Sequence, residues 1–202
     1  MPSVYQLKSG FQNLLRPLVR KIARAGVTAN QVTIFAFLLS LAVGAWLALT
    51  PESRIAYFAY PALLFVRMAL NAADGMLARE FQQKSNLGAF LNELCDVLSD
   101  AALYLALGML ASSSVMLVAI FTTLAITTEV VGLTAVGMGA SRRYDGPMGK
   151  SDRAFAIGAL MFFAAFFPAI LDWTNLVLLA LSLLCCATIY NRVKRALLEI
   201  DL

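Results

Sequence analysis

Arg67, Asp74, Glu93, Asp96, Asp100 and Glu129 sit inside stretches that are otherwise apolar. A charge in such a span is costly, and it marks either a functional site or an ion pair that fixes packing. The acidic residues have a helical arrangement. At about 100° per residue, Asn92, Asp96, Asp100 and Glu93 fall at about 0°, 40°, 80° and 100°, one face over little more than two turns. On the preceding segment Asn71, Asp74 and Ala78 share a face by three-and-four spacing. The polar link from Glu80 to Asn86 is short, so the two helices should be antiparallel neighbours with their oxygen-bearing faces opposed. Opposed carboxylates repel unless one or two divalent cations lie between them, each taking several oxygen ligands. The chain has no histidine. That excludes Ser-His-Asp and Cys-His catalysis and any His-ligated metal. Oxygen donors suit hard cations such as magnesium, manganese or calcium.

A phosphate-rich ligand is the natural partner of such cations, and cationic side chains lie nearby. Arg79, at the mouth of the helix pair, is placed to meet phosphate oxygens or to act as a topological charge. Gly75 and Ala78 let a ligand or a neighbouring backbone come close. Arg142, Arg143, Lys150 and Arg153 are candidates for a second phosphate site or for membrane-side anchoring. Glu129 is a pocket wall, or a partner for Arg67 or a hydroxyl. Gly132, Gly137 and Gly139 read as packing residues. Cys95, Cys185 and Cys186 form no spaced pair and read as small apolar residues.

The elements that must carry these residues are membrane helices. The 202 residues are 60% hydrophobic and 14% charged, too few polar groups for a water-facing surface of this size. Charge is confined between long apolar runs. We expect an all-α membrane protein of about six transmembrane helices, near 31–49, 55–80, 87–110, 114–138, 153–171 and 174–190. Thr28 or Asn30 is the expected cap of the first and Ser151 or Asp152 that of the fifth. Val4 to Ile22 gives a juxtamembrane amphipathic helix, with Val4, Leu7, Phe11, Leu14, Leu15, Leu18, Val19 and Ile22 on its stripe. Lys8, Arg16, Arg20, Lys21 and Arg24 lie off that stripe, which suits an anionic membrane face. The chain reads as one domain, 1–202: an interfacial helix at 1–27, a bundle at 28–190 and a cytoplasmic tail at 191–202. Basic residues cluster on one side of a six-span arrangement. The positive-inside rule then places both termini and the carboxylate site in the cytoplasm.

The string Asn71-Ala-Ala-Asp74-Gly75-Met-Leu-Ala78-Arg79, eight residues, then Gly88-Ala-Phe-Leu-Asn92-Glu-Leu-Cys-Asp96 resembles the signature of the CDP-alcohol phosphatidyltransferases. That pattern is D-x-x-D-G-x-x-A-R, eight residues, G-x-x-x-D-x-x-x-D, and the spacing matches throughout. Asn71 and Asn92 replace its first and third aspartates, a variant that resembles a bacterial inner-membrane branch of the family. The resemblance extends to the basic N-terminus, a Thr28-Ala29-Asn30 entry to the first span, and Gly149-Lys150 before the fifth.

The resemblance implies transfer of a substituted phosphate group from a CDP-linked donor, such as CDP-diacylglycerol, to an alcohol, with release of CMP. It implies two divalent ions, Mg2+ or Mn2+, on the donor pyrophosphate, and a homodimer. Asp96 would be the general base. Asn71, Asp74, Asn92 and Asp96 would be the metal positions, with Glu93 and Asp100 restoring charge. Asp74, Gly75, Ala78, Arg79 and Gly88 would hold the cytidine donor, and Arg142, Lys150 and Arg153 an acceptor phosphate. Membrane lipids are the expected surroundings and nucleic acid is not an expected partner. Two other functions fit the same residues: a non-catalytic protein that binds CDP-lipid or supports a partner enzyme, and a small transporter with the carboxylates as an ion path.

Overall fold

The computed structural model describes the backbone of residues 4–201 and the side chains of residues 10–201. Among these residues the chain is all-helical: α1 (Val4–Arg24), α2 (Ala29–Leu49), α3 (Arg54–Glu80), α4 (Asn86–Ala106), α5 (Val115–Gly137), α6 (Lys150–Phe166) and α7 (Thr174–Ile200). Short 3-10 segments, Leu107–Met109 and Pro168–Trp173, follow α4 and precede α7. Each expected span thus has a helix. Four helical stretches, Ala29–Leu49, Arg54–Glu80, Val115–Gly137 and Pro168–Ile200, are long and apolar enough to cross a membrane. The other two helices are more polar: α4 carries Glu93, Asp96 and Asp100, and α6 begins with Lys150, Asp152 and Arg153. Large apolar side chains such as Leu49, Ile55, Phe65, Met116 and Phe155 are exposed, as lipid-facing side chains would be.

The chain divides into two compact units. The first contains residues 1–42 and 62–99. Here α1 lays Leu15, Val19, Ile22 and Ala23 against Ala29, Val32, Ala73, Met76 and Leu77. The same helix leaves Leu14 and Leu18 exposed, so its apolar stripe is shared between the core and the outside. The stripe positions Val4 and Leu7, and Lys8 beside them, have side chains outside the described residues. Arg16 forks onto Glu80, with Nε 3.2 Å from Oε2 and Nη2 3.0 Å from Oε1. That hydrogen bond, aided by the carboxylate charge, holds the guanidinium above its ordinary pKa.

Thr28 caps α2. Its Oγ1 accepts from Gln31 N at 3.2 Å, and Gln31 Oε1 accepts from Thr28 N at 2.9 Å, a reciprocal capping box. The link before α4 is tied to the same point, because Gln83 Oε1 accepts from Ala29 N at 2.7 Å.

The second unit contains residues 43–61 and 100–202. Phe121, Ile157, Met161, Leu178 and Cys185 are buried, and Tyr104 packs its ring on Phe121 at 4.9 Å. Helix α6 starts at Lys150, earlier than the expected caps allow, with Gly149 N–H donating to Asp152 Oδ2 at 2.9 Å. Helix α7 runs on to Ile200, through the segment expected to be a tail.

Of the three glycines expected to pack, only Gly132 does. A Cβ there would lie 2.8 Å from the Arg143 carbonyl oxygen and 3.3 Å from Arg192 Nη1. Gly137 and Gly139 have nothing within 4 Å, and Gly139 serves a turn at φ +93°. Gly132→Ala should therefore destabilise the protein by about 1–3 kcal/mol by overpacking, against alanine's helix advantage of about 1 kcal/mol. Gly137→Ala should be neutral or slightly stabilising. Unfolding midpoints of the two variants in detergent check both outcomes.

Candidate active site

Pro61 precedes the functional half of α3. From Arg67 the steps of four and three to Asn71 and Asp74 keep the three side chains on one face. In the first unit this face meets α4 at Asp96. Asn71 Nδ2 donates to Asp96 Oδ1 at 3.0 Å. Arg67 Nη2 donates to the same oxygen at 3.3 Å and to the Asp96 carbonyl at 3.0 Å. Arg67 is only 4% exposed, whereas the Asp96 side chain keeps 25% of its surface. The base candidate is thus held from behind and open in front. Asp74 is buried and accepts from the Thr33 hydroxyl of α2 at 2.7 Å. Asn92 and Glu93 are half-buried on α4.

The small residues have definite neighbours. A Cβ on Gly75 would lie 3.0 Å from Arg79 Nη2, so the exposed Arg79 folds its guanidinium back over that glycine. A Cβ on Gly88 would lie 2.7 Å from Asn30 Oδ1, and Gly88 N–H donates to Ser85 Oγ at 3.0 Å. The Asn30 side chain occupies the space that a residue larger than glycine would need. Ala78 is half-buried beside the core formed by α1, α2 and α3.

The second unit holds a different cluster. Arg153 is 1% exposed. Its Nη2 lies 3.0 Å from Glu129 Oε1 and 3.6 Å from Asp100 Oδ2. Its Nη1 donates to Thr128 Oγ1 at 2.7 Å and to the Met148 carbonyl at 3.2 Å. Arg192, 2% exposed, lies 3.6 Å from the same Glu129 oxygen and donates to the Thr128 and Asp145 carbonyls. The sequence reading makes Asp100 a metal ligand and Arg153 a phosphate-binding residue; in the fold they pair with each other, out of water. Glu129 is partnered by Arg153 and Arg192, and Arg67 by Asp96.

Arg142 lies over the Tyr144 ring at 5.2 Å, and Lys150 is half-buried at the start of α6. Arg143 is taken up by Asp145 at 2.8 Å and Glu199.

Sequence reasoning missed Thr33 and Arg192, and it read Asn30 only as a candidate cap. Thr33 and Asn30 gave only the weak signal of polar residues near a helix start. Arg192 had a clear one, because Leu181, Cys185, Thr188, Arg192 and Ala196 recur at steps of three and four on the buried face of α7.

Residues 26–188 match the model of the family described as CDP-alcohol phosphatidyltransferase. The inner membrane protein YnbA of Escherichia coli (strain K12) is 44% identical over 196 residues, covering 97% of each chain. The fold is shared with solved structures of the phosphatidylinositol phosphate synthase PgsA1 of Mycobacterium tuberculosis. The structure in complex with manganese and citrate superposes with a TM-score of 0.76 at 21% identity, covering 90% of this chain and 88% of that one. The structure with CDP-DAG bound gives 0.71 at 22% identity, covering 91% and 92%.

Proposed function

Because the chain belongs to the CDP-alcohol phosphatidyltransferase family, we propose that it transfers a substituted phosphate group from a CDP-linked lipid such as CDP-diacylglycerol to an alcohol, releasing CMP. The observation that carries this reading is the state of Asp96. Its carboxylate is fixed from one side by Asn71 and Arg67 and stays partly open on the other. A general base must hold its orientation and still reach the hydroxyl it deprotonates.

In the proposed reaction the acceptor oxygen forms a bond to the phosphorus that bears the lipid alcohol. Its proton passes to Asp96, and the bond to the bridging oxygen breaks, so that CMP leaves. Arg67 and Asn71 keep the Asp96 oxygen aimed during that transfer. Arg79, folded over Gly75, would meet the donor phosphates.

Carboxylate and amide oxygens at Asp74, Asp96, Glu93, Asn71 and Asn92 are chemically suited to a hard divalent cation. When bound, such an ion would stabilise charge developing on the leaving CMP. Among the described residues no group of three or more His, Cys, Asp or Glu is gathered where it could hold a metal ion, so cation binding would require these side chains to converge around the ion.

We place six spans in a bacterial inner membrane, with both termini and the site on the cytoplasmic side and α1 at the interface. The exposed Leu14 and Leu18 beside Arg20, Lys21 and Arg24 support that position for α1.

The test is CMP release by purified protein given CDP-diacylglycerol, magnesium or manganese, and pooled alcohol acceptors. Release is expected, and a chelator should abolish it. Absence of release under conditions where an active family member turns over would reject the enzymatic reading. Cytidine nucleotide binding without release would favour a binding protein, an outcome for which the Arg67–Asp96 pair gives a physical reason.

A further inference from the structure

We infer that Glu129 fills, as a built-in anion, the place where the second unit would otherwise hold a phosphate, so that the acceptor is an alcohol without a phosphate group. This deepens the proposed transferase reading and rests on it for the identity of the reaction.

Two guanidiniums converge in the second unit. Helix α6 brings Arg153, and α7 brings Arg192, to one carboxylate oxygen on α5. Arg153 Nη2 lies 3.0 Å and Arg192 Nη1 3.6 Å from Glu129 Oε1. Two arginines meeting at one anionic oxygen is an arrangement suited to phosphate, but here the anion belongs to the chain itself. Both guanidiniums are also tied elsewhere. Arg153 Nη1 donates to Thr128 Oγ1 at 2.7 Å and to the Met148 carbonyl at 3.2 Å, and Arg192 donates to the Thr128 and Asp145 carbonyls. Turning either toward a ligand would break several bonds at once.

Exposure decides which charge a ligand would meet. The side chains of Arg153 and Arg192 are 1% and 2% exposed, whereas those of Glu129 and Asp100 are 14% and 10% exposed. The part of the cluster that reaches the surface is therefore carboxylate. A phosphate there meets like charge, and the repulsion grows as solvent is excluded. Displacing Glu129 from the arginines would strand a buried carboxylate, a costly outcome. An alcohol hydroxyl meets neither obstacle, because it can donate to a carboxylate.

The neighbouring basic residues form no equivalent convergence. Arg142 lies over the Tyr144 ring at 5.2 Å, and Arg143 is held by Asp145 and Glu199. Lys150 brings one ammonium, a point charge without the guanidinium fork. Lys194 and Arg195 are exposed on α7, where solvent and salt screen them. Glu129 is thus a specificity-determining residue.

The test has two arms, both on the full chain in detergent. In the first, inorganic phosphate is titrated at constant ionic strength and binding is read from the unfolding midpoint. Glu129→Ser and the conservative Glu129→Gln remove the carboxylate and are expected to bind phosphate at least about tenfold more tightly than the wild type, since like charges side by side are strongly disfavoured. Equal phosphate affinity in wild type and variants would overturn the inference. In the second arm, the wild type receives CDP-diacylglycerol, magnesium and either a pool of alcohols or the same alcohols as phosphate monoesters. CMP release is expected with the alcohols and at least about tenfold less with the esters, by the same repulsion. Equal or faster release with the esters would overturn the inference, and this arm decides it alone if neither variant folds. Release from neither pool rejects the transferase reading, while the phosphate titration still judges whether Glu129 occupies an anion site.

Discussion

Replacing Asp96 by asparagine should slow CMP release by roughly a hundred- to ten-thousand-fold, the range for loss of a general base, while the protein stays folded. Asparagine is nearly the same shape and keeps an oxygen where Oδ1 stands, so the Asn71 and Arg67 bonds at 3.0 and 3.3 Å can persist. It cannot take the acceptor's proton. Part of the negative charge that offsets Arg67 is also lost, so a modest fall in stability is expected beside the large fall in rate. The measurement is single-turnover CMP release, with an unfolding midpoint taken on the same preparation. A loss in rate smaller than about tenfold would remove Asp96 from the role of base. Asn71→Ala serves as the comparison, since it removes one aiming bond and leaves the carboxylate. It should cost much less rate than Asp96→Asn and should act through orientation.

The helices were legible because their signals are long. Apolar runs of near-membrane length, broken by short polar links, predict α2 to α7 at nearly their observed positions. The motif was legible because its spacing matches helix periodicity: Arg67, Asn71 and Asp74 step by four and three on α3, and Asn92 and Asp96 by four on α4. Pairing was not legible. Six charges within apolar segments allow many combinations, and sequence offers no distance between segments far apart in the chain. Arg67 to Asp96 spans 29 positions and Arg153 to Glu129 spans 24. The reading that grouped Asp100 with Asp96 was sound as helix geometry, since one face of α4 carries both. It failed to include the neighbour on α6. The basic residues misled in a related way. Arg153 sits in a cluster read as a phosphate site or membrane-side anchor, yet it lies on the buried stripe of α6, as Arg192 does on that of α7. A buried stripe is a stronger statement about a side chain than the charge of its neighbours.

Replacing Arg153 by methionine should destabilise the protein by about 3–5 kcal/mol, the cost of breaking a buried ion cluster from one side. Asp100 and Glu129 would lose the guanidinium that lies 3.6 and 3.0 Å from them. The Thr128 hydroxyl and the Met148 carbonyl would lose hydrogen-bond partners at 2.7 and 3.2 Å. Arg192 remains beside Glu129 at 3.6 Å, so Glu129 would keep part of its compensation while Asp100 loses more. Arg153→Met with Asp100→Asn should therefore recover part of the loss, because the carboxylate left behind is then neutral. Arg153→Lys should fall between, since an ammonium keeps the charge but not the fork that reaches both Thr128 and Glu129. Denaturant unfolding of the three variants in detergent measures these differences. The same set distinguishes two roles for Arg153. A residue that only binds an acceptor phosphate would leave stability near wild type and raise the KM for the acceptor. A residue that holds α4, α5 and α6 together in the second unit would lower stability first, and Asp100→Asn would rescue it. The burial of Arg153 and its contacts with Asp100, Glu129, Thr128 and Met148 favour the second outcome.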